Sequence, residues 1–103
     1  MSIKLVILKT GENIIADAKE AVKDDRPELY VLNEPFLISI AEPYLMNEDA
    51  RVEISSVKIQ MTPWNIFSAD KSVVIFPDSV LTIVNPINSI KQMYEERMNG
   101  QSS

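Results

Sequence analysis

The chain contains no histidine and no cysteine. The lack of histidine removes the side chain best suited to proton transfer near neutral pH. The lack of cysteine removes thiolate nucleophiles and disulfides, and with histidine gone nearly every zinc, copper or haem site goes too. It is also compatible with a reducing compartment. The sequence holds no P-loop, no dinucleotide fingerprint and no nucleophile elbow. No enzymatic activity, cofactor or metal is therefore expected. There is no basic leader and no apolar stretch near 18 residues, so neither a signal peptide nor a membrane span is expected, and the protein reads as soluble and cytoplasmic. Glycine is scarce as well, with two in 103 residues.

What is present is ordinary globular composition, 46% hydrophobic and 24% charged, in a length that suits one domain. The net charge of −5 is unevenly spread. Residues 1–11 carry Lys4 and Lys9 and no acid, whereas residues 12–53 carry eleven acids against four bases. An acidic chain starts at a disadvantage for gripping phosphates, unless a small basic surface is repeated by several subunits.

Ile3-Lys4-Leu5-Val6-Ile7-Leu8-Lys9 is aliphatic, β-branched and short, which predicts a strand covered on both faces. Thr10-Gly11-Glu12 is a turn, and Gly11 supplies the positive φ a tight hairpin needs. Residues 13–22 have helical propensity. The alternation of Ile14, Ala16 and Ala18 against Ile15, Asp17 and Lys19 favours a strand. Lys23-Asp24-Asp25-Arg26-Pro27 is a second turn. In residues 28–40 the apolar phase slips across Pro35, which marks a bend or bulge. Residues 41–50 read as a loop. Residues 51–62 change phase at Ser55-Ser56 and read as another bulged strand. Val73–Phe76 and Val80–Val84 read as a short strand pair about Pro77-Asp78-Ser79. Asn85 and Pro86 open a helix whose apolar stripe is Ile87, Ile90, Met93, Tyr94 and Met98, and Gly100 ends it. The expectation is a mainly β domain over residues 1–100, a strongly bent five-stranded small barrel with a C-terminal α-helix at about 86–99 and a disordered tail at 101–103.

Two blocks carry a family resemblance. Ile7-Leu8-Lys9-Thr10-Gly11 with Ile14-Ile15 resembles the first half of the Sm motif, apolar residues followed by Leu-Lys-x-Gly. Ile75-Phe76-Pro77-Asp78-Ser79-Val80-Leu81-Thr82-Ile83 is similar to the second half, with the apolar positions in register. The chain thus resembles Sm and LSm proteins over about forty residues. From Trp64 through Pro86 to Tyr94 it also resembles small uncharacterised proteins of tailed marine cyanobacterial phages, a resemblance that implies the cytoplasm of a host cell if the chain is phage-encoded. The family's Arg-Gly is Phe76-Pro77 here, and its Asp-x-x-Met-Asn loop is Lys23-Asp24-Asp25-Arg26-Pro27. The residues of the family's uridine pocket are therefore not the ones present. The helix also follows the sheet, whereas Sm proteins place it first.

The resemblance implies a homo-oligomeric ring that binds single-stranded RNA or DNA. In Sm-like rings the fourth strand of one subunit pairs with the fifth of the next. That implies Val73, Val74, Ile75, Val80, Leu81 and Ile83 as subunit interface. It also implies Lys23, Arg26, Phe76 and Asp78 as nucleic-acid-binding residues. Phe76 stacks a base, or else packs in the core or an interface. Lys23 and Arg26 meet phosphates, or else sit in a solvated turn beside Asp24 and Asp25. Asp78 accepts a base hydrogen bond or supports Arg26. Trp64 and Phe67 form a ligand platform or a plug closing a barrel end. Glu48-Asp49 with Glu53 offers oxygens to a hard cation, though without EF-hand spacing. The competing reading is an assembly module of phage origin without nucleic-acid binding.

Overall fold

A computed structural model describes residues 1–40 and 58–101. It shows a six-stranded antiparallel sheet and one C-terminal helix. The strands are β1 (Ile3–Leu8), β2 (Asn13–Lys23), β3 (Arg26–Ile40), β4 (Ile59–Pro63), β5 (Ser72–Ile75) and β6 (Val80–Val84), and α1 spans Asn88–Gln101. Along the sheet the order is β4-β3-β2-β1-β6, with β5 paired to β3. The sheet is bent but not closed. Its ends, β4 and β6, do not pair with each other. The mainly β class and the C-terminal helix are as expected, but in place of a strongly bent five-stranded small barrel the described residues form an open sheet of six strands.

The bend has a local cause in β3. Ile15 pairs with Phe36 and Asp17 with Asn33, so Ala16 faces two residues, Glu34 and Pro35. This is the bulge expected from the phase slip at Pro35. Glu34 takes a φ of 50°, rare outside glycine. The bulge divides β3 into two working halves. Its C-terminal half pairs β4 from Phe36 to Ile40, and its N-terminal half pairs β5 from Tyr30 to Asn33. At the junction, Glu34 N–H donates to Lys71 O at 2.7 Å and Trp64 N–H donates to Pro35 O at 3.1 Å. The bulge residues thereby anchor the start of β5 and the exit from β4.

Two cores form on the two faces. One gathers Val6, Leu8, Ile14, Ala16, Leu32 and Ile75. The other gathers Ile3, Ile15, Phe36 and Met61 beneath Ile90 and Tyr94 of α1. Residues 13–22 belong to a strand with Ile14, Ile15 and Ala16 all buried, so tertiary burial overrides helical propensity.

Tyr94 does more than fill space. At the bulge the ladder between β2 and β3 is interrupted. The Tyr94 hydroxyl accepts from Asp17 N–H at 3.2 Å and faces Asn33 O and Glu34 O at 3.0 and 3.1 Å as donor. It satisfies backbone groups that the bulge leaves without ladder partners. Burial, the leading cause, pushes its phenol up to about 12. Its ring meets the Phe36 ring edge-on with centroids 6.1 Å apart, and the Arg97 guanidinium lies over the Phe36 ring, 5.1 Å from its centroid.

The helix departs from expectation at both ends. Its first turn forms on the Ile87 carbonyl, which accepts from Ile90 and Lys91 N–H at 3.1 and 3.0 Å. Pro86 precedes it and biases Asn85 away from helical space. Asn85 binds Lys4 Nζ at 2.6 Å, tying the segment to β1 and not capping the helix. Gly100 continues the helix to Gln101, where a stop was expected. Gly11 alone of the two glycines has a left-handed φ, 95°, as its turn requires. The expected loop at 41–50, the strand start with its bulge at Ser55-Ser56, and the Glu48, Asp49 and Glu53 cluster lie outside the described residues. So do Ser102 and Ser103.

Candidate nucleic-acid interface

Two turns at one end of β3 carry the candidate residues. The first is the β2–β3 hairpin. Lys23 and Arg26 are its closing cross-strand pair, and Asp24 and Asp25 form the two-residue loop with φ of 54° and 62°. Two consecutive left-handed residues define a type I′ turn, whose twist matches that of the strands it joins. Aspartate tolerates this conformation better than most residues. Lys23 and Arg26 therefore sit about 5 Å apart at Cα, two exposed cations behind two exposed carboxylates.

The second turn joins β5 to β6. The expected short strand pair is absent, because β5 pairs β3 and β6 pairs β1. The chain between them forms a single 3-10 turn, Pro77–Ser79, in which Ser79 donates from N and Oγ to Phe76 O at 3.0 and 2.7 Å. A hairpin loop would reverse the chain in the same ladder. This turn carries it from one side of the bent sheet to the other. The turn lies against β3. Phe76 follows Ile75, the partner of Tyr30, and its side chain is 58% exposed. Arg26 lies four residues before Tyr30 along β3, so the cationic pair projects roughly 10 Å beyond the level of Phe76. Asp78 is exposed on the turn itself.

Sequence reasoning missed Lys9 as a neighbour of this surface. Its backbone N–H donates to Ser79 O at 2.9 Å, which fixes an exposed lysine beside the Asp78 turn. The signal was in the Leu-Lys-x-Gly block and in the basic start of the chain, where Lys9 appears without being among the candidate site residues.

The candidate interface residues divide by burial. Ile75 lies in the core, and Val73, Val80 and Ile83 pack against it. Val74 and Leu81 face solvent, Leu81 by 66%. Leu81 is the extra residue of a β6 bulge, between Thr82 opposite Ile7 and Val80 opposite Leu8. Among the described strands, β5 pairs only with β3 and β6 only with β1, so each keeps an outer edge.

Trp64 and Phe67, expected to act together, are separated. Trp64 packs against the core of Val6, Leu8, Ile14 and Leu32 and its Nε1–H reaches Glu12 Oε2 at 3.3 Å, whereas Phe67 projects into solvent. Among the described residues no three Asp or Glu side chains converge to hold a metal ion. No described helix is long and apolar enough to cross a membrane.

No curated protein matches the chain. A family model, described as a family of unknown function (DUF6561), matches residues 1–99, and the chain belongs to that family.

Proposed function

We propose that the protein is an Sm-like β module that self-associates into a homo-oligomeric ring and holds single-stranded RNA or DNA without covalent chemistry. The observation that carries this reading is the solvent-exposed Phe76 at the end of β3 that also bears Lys23 and Arg26. Every base has a π face, and a strand of nucleic acid needs both stacking and phosphate contact. One cation pair per subunit is weak, but a ring repeats it into a belt. Lys9 adds a further cation beside the Asp78 turn. Self-association is supported by the outer edges of β5 and β6, where Val74 and Leu81 are apolar and exposed. Protected edges usually carry charge or proline.

A second reading is an assembly module that binds no nucleic acid. Asp24 and Asp25 at the hairpin tip favour it, because they repel phosphate wherever the cations attract it.

Fluorescence anisotropy with oligo-U, oligo-A and single-stranded DNA at two salt concentrations separates the two. Binding that weakens with salt, falls about 5- to 150-fold in Phe76→Ala and is lost in Arg26→Glu supports the first reading. Absent binding at low salt leaves the assembly module. A monomer of 11.6 kDa by light scattering at micromolar concentration overturns the ring in both readings.

A further inference from the structure

The segment joining β4 to β5 presents Ile66 and Phe67 to solvent, 72% and 94% exposed. Its backbone is held in place. Phe67 N–H donates to Asn65 Oδ1 and Asp70 N–H to Ser68 Oγ, both at 3.0 Å, while Trp64 is fixed through Pro35 O and Glu12. A fixed apolar knob loses little further freedom when it is buried, which favours binding.

At the other end of β4 lies a recess of about 360 Å³, lined mainly by Leu5, Ile38, Ile59, Val84, Ile87 and Ile90. It falls within the range of sites that enclose a small apolar group. The knob does not reach it within one chain. Pro63 sits opposite Phe36 and Ser72 opposite Asn33, so segment 64–71 runs away from Ile38 and Ile59.

We propose that Ile66 and Phe67 of one copy seat in this recess on a second copy. This rests on the self-association proposed above and names a contact additional to the strand edges. Area argues for the addition. An aromatic side chain buries about 150–250 Å², and a stable interface needs about 800 Å² per partner. The knob therefore reinforces edge pairing and does not replace it. A knob at one end and a recess at the other form a head-to-tail contact, the type that closes into rings.

The test uses Phe67→Asp and Ile87→Asp, both at exposed positions, with circular dichroism as the folding check. Light scattering over a concentration series is expected to show self-association weakened on the order of tenfold or more in each variant. An equal mixture of the two is expected to recover the contact once per mixed pair, because one copy keeps the recess and the other keeps the knob, giving heterodimers that neither variant forms alone. An oligomeric wild type that Phe67→Asp leaves unchanged overturns the knob contact and leaves the ring standing. A monomeric wild type overturns both. As a second route, Phe67→Cys mixed with Ile87→Cys is expected to form a disulfide-linked dimer. The chain has no cysteine of its own to compete. No cross-link in a mixture that is oligomeric by light scattering also overturns the contact.

Discussion

The face of the sheet beneath α1 and the outer edge formed by β6 solve the same problem in opposite ways. Both contain a bulge. Beneath the helix, the bulge at Glu34-Pro35 is covered, and the Tyr94 hydroxyl takes up the backbone groups it leaves over. On β6, the bulge turns Leu81 into solvent and nothing in the described chain covers it. The first arrangement repairs an irregularity for stability. The second keeps an apolar side chain and a strand edge available. The contrast teaches that apolar character alone does not mark the core of this molecule; the fate of neighbouring backbone groups does.

The sharpest way to break this comparison is to remove its anchor. Tyr94→Ala empties a site where the side chain is 1% exposed, and a loss of about 3–5 kcal/mol is expected in urea unfolding. Tyr94→Phe keeps the ring and deletes the hydroxyl. It leaves the Asp17 N–H unpaired at the bulge, so a loss of about 1–3 kcal/mol is expected. The same variant sharpens the pH argument. The phenol titrates near 10 when unfolded and about 12 when folded, so the folded state holds the proton longer. That stabilisation is complete below pH 10 and fades between pH 10 and 12. The alkaline decline in wild-type stability is therefore expected to be shallower in Tyr94→Phe. Asp25→Gly relieves the left-handed strain of the hairpin and is expected to add about 0.5–1 kcal/mol. At the other pole, Leu81→Lys is expected to leave stability within about 0.5 kcal/mol while abolishing the self-association proposed for the β6 edge, read by light scattering. A large loss of stability there would show that Leu81 belongs to the core after all.

Local chemistry made several elements legible from sequence. The positive φ at Gly11, the turn at Lys23–Arg26 and the break at Pro35 each arise from a residue's own backbone preference. The alternation in residues 13–22 reflects burial on the sheet. Other features were hidden because they depend on distant partners. Nothing near Val73–Val84 reveals that β5 joins β3 while β6 joins β1, since that choice is made by strands remote in sequence. Asn85 has the chemistry of a helix cap, and only Lys4, 81 residues away, diverts it. Of the candidate site, the hairpin cations were visible as turn residues, and Phe76 as the end of a short apolar strand at the position of the resembled family's second ligand loop. Lys9 was not singled out, because its place beside Ser79 comes from the β1–β6 pairing.

That pairing also has a kinetic side. β1 and β6 join Leu5 to Val84, nearly the whole length of the chain. The β2–β3 hairpin closes over two residues and needs no distant partner. Loop closure is entropically cheap at the hairpin and costly at β6, so topology orders assembly from the hairpin outward. β6 is expected to be the last strand to gain amide protection from hydrogen exchange and the first to lose it. Under the proposed self-association, pairing at this outer edge would complete folding as it begins assembly, and would raise the stability of each subunit by mass action.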